Sequence, residues 1–251
     1  MKRFRVLLGR EIARNFCRPL AWLVLACFLL LTGINFQAGV SAMNATPGRV
    51  TALGAFFNSL LFWFPFLLSV PLLTMRVFSE EYKLGTMETL MTAPVRDWEV
   101  VAAKFGGALA FFILLWLPTA VYFLVFWAVS GEPPAGAPGA AFGVVTILLF
   151  AGAFYLSIGC LASALTDNQI VAAIATGAAV CASFFIGLLW FFFPSPSPEL
   201  RNLAYTFSTI EHMADFSEGV FDSRPLVLYA SMTALMLFLT YHALQWRRWR
   251  S

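Results

Sequence analysis

The chain has 251 residues, of which 60% are hydrophobic and only 12% charged, with a formal net charge of +3. A globular domain carries about 25% charged residues, so this composition excludes a water-soluble fold: too little polar surface exists to cover one. The small positive excess does not call for nucleic acid, and the four cysteines, Cys17, Cys27, Cys160 and Cys181, contain no C-x-x-C pair. Neither a disulfide framework nor a zinc site is indicated.

Residues 1–19 open the chain as a basic amphipathic helix. Phe4, Leu7, Leu8, Ile12 and Phe16 recur at helical spacing, with Arg3, Arg5, Arg10 and Arg14 mostly between them. That pattern suits an interfacial helix at the cytoplasmic headgroup boundary, and a plain positively charged anchor explains it equally well. The first apolar run is as long as a full span and lacks an A-x-A-like site, so a cleavable signal peptide is not expected. A bilayer core takes about 20 apolar residues per helix. Uncharged runs of that length lie between Arg18 and Arg49, Arg49 and Arg76, Lys104 and Glu132, and Arg224 and Arg247. The stretch 133–198 holds one charge, Asp167, and suits two spans hinged at Thr166-Asp167-Asn168. None of these runs alternates as barrel strands do. The expected fold is therefore an all-α integral membrane protein with six transmembrane helices, at 20–38, 56–75, 105–129, 143–165, 169–193 and 226–245. Domain organisation follows: the helix of 1–19, a six-span unit over 20–246, and a basic tail at 247–251.

Thirteen of the sixteen basic residues fall on one side of that map, which places both termini in the cytoplasm. The most informative segment is the inner one, 76–104, with nine charged residues between two apolar runs. Gly85 breaks the entering helix, and Thr86 can cap a new short one with Glu88 in its first turn. Met87, Leu90 and Met91 then share a face, and Pro94 stops the helix within about two turns. Asp97 can cap the helix leading into the third span. So short a helix is not stable alone. Its apolar face either meets a partner or packs on the chain's own spans. Outside, 131–140 is a turn-rich connection, while 194–224 opens on Pro-Ser-Pro-Ser-Pro and carries a Ser208…Glu211 capping box. A short helix is expected over 209–220.

The search for chemistry finds no G-x-x-x-x-G-K-[ST], no G-x-S-x-G and no H-E-x-x-H. Glu80-Glu81 lacks the Arg and His partners of a paired-glutamate intramembrane protease. Glu211, His212 and Asp215 offer too few ligands for a metal site. No catalytic residue, metal or cofactor is assigned to this chain. The spans contain essentially no ionisable residue, which disfavours a proton- or ion-coupled carrier, and Asp167 reads as a helix N-cap in its turn. Asn35, Gln37, Asn58, Ser59 and Ser157 can bond between helices. Gly106-Gly107, Gly152 and Gly159 permit close approach, and Pro65, Pro71 and Pro118 are candidate kinks.

The run Phe78-Ser79-Glu80-Glu81-Tyr82-Lys83-Leu84-Gly85-Thr86-Met87-Glu88-Thr89-Leu90-Met91-Thr92-Ala93-Pro94 resembles the signature of type-2 ABC-transporter permeases. Glu81, Gly85, Thr86, Glu88, Leu90, Met91 and Pro94 occupy its positions; Ala103 departs from the Gly usual before the Lys. The stretch from Ser208 to Tyr229 and the final Arg247-Arg248-Trp249-Arg250 are similar to the gliding-motility and copper-enzyme-maturation branch. The resemblance implies a permease of an ATP-driven exporter, in the bacterial inner (plasma) membrane, paired with a second permease and two cytoplasmic ABC ATPase subunits that hold the ATP and Mg. It implies that the short inner helix is the coupling helix, Met87 on its docking face included. It also implies that Asp167 lies in a second inner contact, and that Glu211, His212 and Phe216 belong to an outer gate. A related machine that transmits force to an outer partner without transport carries the same signature.

Overall fold

The computed structural model describes residues 2–17, 19–45, 51–87, 96–137, 139–187 and 198–248. All regular structure among them is helical. The chain begins with α1 (Lys2–Phe16), α2 (Pro19–Ala45), α3 (Ala52–Phe57), α4 (Leu60–Thr74) and α5 (Ser79–Lys83). It continues through α6 (Asp97–Trp116), α7 (Thr119–Ser130), α8 (Ala140–Ala164) and α9 (Gln169–Gly187), and ends with α10 (Pro198–Phe207), α11 (Thr209–Ser217) and α12 (Ser223–Arg248). Among the described residues, six stretches are long and apolar enough to cross a membrane: Ala21–Ala45, Leu60–Lys83, Asp97–Ser130, Ala140–Ala164, Gln169–Gly187 and Ser223–Arg247. The expected span count therefore holds, while several ends move.

The second predicted span begins inside α3 and is interrupted at Asn58-Ser59. The Ser59 hydroxyl accepts from the Leu61 N–H at 3.1 Å and starts α4 afresh. Asn35, buried in α2, stitches the break: its amide donates to the Phe56 carbonyl at 3.0 Å, and Ser59 donates to its Oδ1 at 2.6 Å. Asn58 reaches Ser217 at 3.3 Å. These three side chains do bond between helices as their composition suggested. Ser157 does not, since its hydroxyl is spent on Phe154 of its own helix. The third span divides at Leu117-Pro118, where proline removes an N–H and crowds the carbonyl four residues back. Pro65 and Pro71 lie inside α4 without ending it.

Two cores result. The larger is aromatic, with Phe56, Phe62, Phe66 and Phe112 fully buried; Phe28 meets Trp116 edge-on at 4.8 Å, and Tyr155 meets Phe66 at 5.7 Å. The smaller gathers Phe78, Met87, Val100, Val101, Cys160 and Leu244 at the end of the bundle that holds α1, α5 and the C-terminal part of α12. Close helix approach occurs at the glycines singled out above. A Cβ on Gly107 would lie 2.8 Å from Glu11 Cβ, one on Gly159 would collide with Thr74, and one on Gly152 with the ring of Phe112. Gly152→Ala is expected to cost about 1–3 kcal/mol through this overpacking. Adding Phe112→Leu should recover part of that loss, a non-additivity readable in thermal unfolding of the purified protein.

At the opposite end, α3, α10, α11 and the connection around Pro134 form a cap. The Leu53 N–H donates to the Pro134 carbonyl at 3.0 Å. Ser208 caps α11 by accepting from the Glu211 N–H at 3.3 Å, one half of the expected capping box, while its own N–H donates to the Tyr205 carbonyl at 3.1 Å. That helix stops at Ser217, short of the expected 220, because the chain turns through Gly219 with φ +87°. Helix α10 was not anticipated within 194–224. The predicted end of the fifth span, beyond Gly187, lies outside the described residues.

Candidate functional site

Past Thr74 the second span turns through residues 75–78 and enters α5, forming an elbow. Two neighbouring spans hold its backbone. Ser163 of α8 accepts from the N–H groups of Phe78 and Ser79 at 3.0 and 3.1 Å, which satisfies donors left free at the start of α5. Lys104 of α6 donates to the Val77 carbonyl at 2.7 Å and sits 5.3 Å from the Phe78 ring centroid.

The same Lys104 is the centre of a buried ion-pair network. Its Nζ lies 2.8 Å from Glu81 Oε1 and 3.7 Å from Glu11 Oε1. Arg14 pairs with Glu11 and, at 2.8 Å, with Glu81; Arg10 lies 3.3 Å from Glu11. The side chains of Lys104, Glu11 and Glu81 are 1%, 3% and 8% exposed. No one of them could be buried alone, because removing an ion from water costs several kcal/mol, and only close opposite charges offset that. Geometry permits the network because Gly106 and Gly107 let α1 lie directly against α6, where Asn15 donates to the Gly107 carbonyl at 3.2 Å. One oxygen of Glu81 thus serves both cations, while its other oxygen is buried with no protein partner.

The far side of α5 is held by the last helix. Arg247 lies over the Tyr82 ring at 4.4 Å, donates to the Leu165 carbonyl at 2.7 Å, and pairs with Asp167. Asp167 is therefore not the N-cap it was expected to be. Asn168 fills that role, its Oδ1 accepting from the Ile170 N–H at 2.9 Å, and this frees the longer-range charge for Arg247. A similar shift occurs at α6, where the N-cap is Arg96 rather than Asp97. Glu99 takes the Arg96 N–H at 3.1 Å, the half of a capping box its position allows.

Gly85 ends α5 in the left-handed region at φ +68°, which only glycine adopts without strain. Helical backbone resumes at Thr86, whose hydroxyl bonds back to the Glu81 carbonyl at 3.4 Å. Met87 is 5% exposed and packs into the smaller core. It is turned onto the chain's own helices, one of the two outcomes its spacing left open, and not onto the docking face the resemblance implied. Glu88, Leu90, Met91 and Pro94 lie outside the described residues. Glu81 likewise is no exposed contact: it is the acid at the heart of the elbow. Glu11 and Ser163 were not singled out from sequence, and Arg14 and Arg247 were named only for the basic face of the first helix and the basic tail. One signal was present, since Glu11 is the lone acid among the six basic residues of the first eighteen.

The three residues expected at an outer gate sit at the other end of the bundle, far from the elbow. Phe216 is fully buried, packed on Phe221, and Glu211 is half-buried. His212, 2% exposed, is hydrogen-bonded through Nδ1 to the Tyr229 hydroxyl at 3.0 Å; Tyr229 and Tyr155 converge on Thr209 at 3.2 and 2.8 Å. This network fastens the cap to α8 and α12. Tyr205 donates to the Asp215 carboxylate, and that bond, which holds its proton in place, pushes its pKa to about 12. No group of three or more His, Cys, Asp or Glu placed to hold a metal occurs among the described residues.

Burial holds the His212 pKa below its ordinary 6.5, outweighing the pull of Asp215 and Asp222. Above that value the ring is neutral folded or unfolded. As pH falls, the unfolded chain takes the proton first, so the stabilisation present above about 6.5 is lost as pH falls through the lower folded value. Thermal unfolding at about pH 7.5 and about pH 5.5 should therefore show a larger acid-side loss for wild type than for His212→Gln. Equal losses would place His212 outside the linkage.

A family model described as ABC-2 family transporter protein matches residues 59–244, well over half of the chain and inclusive of α5 and of α10 and α11. No curated protein matches the chain.

Proposed function

Because the chain belongs to the ABC-2 transporter family, we propose that it is the permease subunit of an ATP-driven exporter, worked by a separate cytoplasmic ABC ATPase. The elbow carries this reading. Immediately before the Gly85-Thr86 pair, α5 is bonded on one side to α1 and α6 through Glu81, and on the other to α12 and the α8–α9 turn through Tyr82 and Arg247. A push on the segment that follows, 86–94, reaches four other helices through rigid contacts and needs no flexible linker. Such a packed element is suited to switch between discrete arrangements.

In this reading the end bearing α1, α5 and Arg247 faces the cytoplasm, in keeping with the concentration of basic residues there. The segment 86–94, which carries Glu88, Leu90, Met91 and Pro94, is the coupling helix, and Met87 anchors its start to the bundle. Asp167, paired with Arg247 at the same end, belongs to a second contact. The cap with Glu211, His212 and Phe216 closes the outer side. A second permease completes the transporter in the bacterial inner membrane, and the likeness of the stretch from Ser208 to Tyr229 supports the gliding-motility and copper-enzyme-maturation branch as its place in the family.

The test is co-reconstitution of the purified chain with its cognate ABC ATPase in vesicles. The reading expects a stable complex, ATP hydrolysis that depends on the permease, and ATP-dependent movement of a solute to the outer side. Permease-dependent hydrolysis with no solute moved would select force transmission to an outer partner instead. An ATPase that neither binds the chain nor responds to it would overturn both.

A further inference from the structure

We infer that a cleft between α7 and α8 is a binding site for one acyl chain of a bilayer lipid. The break at Pro118 lets α7 lean toward α2, where Tyr122 donates to the Leu29 carbonyl at 3.0 Å and Phe123 packs edge-on against Phe36 at 5.6 Å. Its successor α8 packs elsewhere, on α12, α9 and α11. Between the two remains a cavity of about 350 Å³.

Its floor is buried, formed by Leu53, Phe57, Trp116, Val144 and Leu148. Its rim, formed by Ile113, Leu117, Leu124 and Val145, is exposed and continuous with the apolar outer faces of two membrane-crossing stretches, Asp97–Ser130 and Ala140–Ala164. The one lining hydroxyl, Thr119, is already spent on the Trp116 carbonyl at 2.6 Å. Beyond the buried indole N–H of Trp116, which has no partner in the protein, the lining offers no free polar group, and water needs two or more to occupy a cavity. A charged or strongly polar ligand would find most of its polar groups unpaired. An empty cleft would forfeit dispersion contacts along its whole lining. The lining matches the hydrocarbon it opens onto in polarity, so the molecule that enters is the slender apolar chain the bilayer itself presents. By filling the gap, that chain becomes a packing element between the third and fourth spans.

The experiment uses full-length protein in phospholipid nanodiscs containing a phosphatidylcholine with a diazirine near the end of one acyl chain. After illumination, peptide mapping should place adducts on the floor, at Trp116 and Leu148, as well as on the open face of α12 at Phe238. Ala120→Trp and Ala141→Phe introduce bulk at exposed wall positions, where folding should tolerate it, as a melting curve would confirm. In these variants the floor adducts should be lost while those at Phe238 persist. A floor left unlabelled in wild type, or labelled as strongly after filling, would overturn the assignment. So would floor cross-links to a second copy of the chain, which would make the cleft an interface.

Discussion

Replacing Lys104 with Met should destabilise the folded protein by about 3–5 kcal/mol, the usual penalty for removing one partner of a buried ion pair. The side chain of Lys104 is 1% exposed and faces both Glu81 and Glu11, so its loss leaves two buried acids sharing the arginines of α1. It also leaves the Val77 carbonyl without its donor. Thermal unfolding in one fixed detergent reads the effect. Adding Glu81→Gln should restore part of the stability, because a neutral amide no longer needs the cation. A melting temperature unchanged by Lys104→Met would mean that the network contributes nothing to the fold. Glu81→Ala should be destabilising too, through the positive charge it leaves unmatched.

How far residues disclose such a structure depends on whether their partners are local. The six spans are legible because length and apolarity are properties of a continuous run, and a bilayer imposes both. Ser208…Glu211 and Gly85 are legible for the same reason: a cap and a left-handed turn are satisfied within four residues. The elbow network is not local. Glu11, Glu81 and Lys104 lie far apart in sequence, and only the approach of α1 to Gly106-Gly107 brings them together. Each taken alone resembles an ordinary headgroup-facing charge. Asp167 failed as a cap for a related reason, since Asn168 serves equally well one position later and Arg247 competes for the acid from the other end of the chain. Met87 shows the limit of periodicity: spacing groups apolar residues, and only tertiary packing decides which of them the chain itself covers.

The decisive residue for function is Leu90. Glu88, Leu90 and Met91 stand between Gly85 and Pro94 in the segment proposed to enter the ATPase, whereas Met87 is packed into the permease itself. An aspartate in place of Leu90 would put an unpaired charge into an apolar contact. It should weaken ATPase binding by at least about 2 kcal/mol, roughly thirtyfold in affinity. Met87→Asp, by contrast, should lower the melting temperature of the isolated permease. The direct measurement is capture of the cognate ABC ATPase by wild type and by Leu90→Asp, alongside melting curves of both. The coupling assignment predicts that Leu90→Asp melts like wild type but no longer retains or stimulates the ATPase; a variant that folds normally and still binds and stimulates it as wild type does would contradict the assignment.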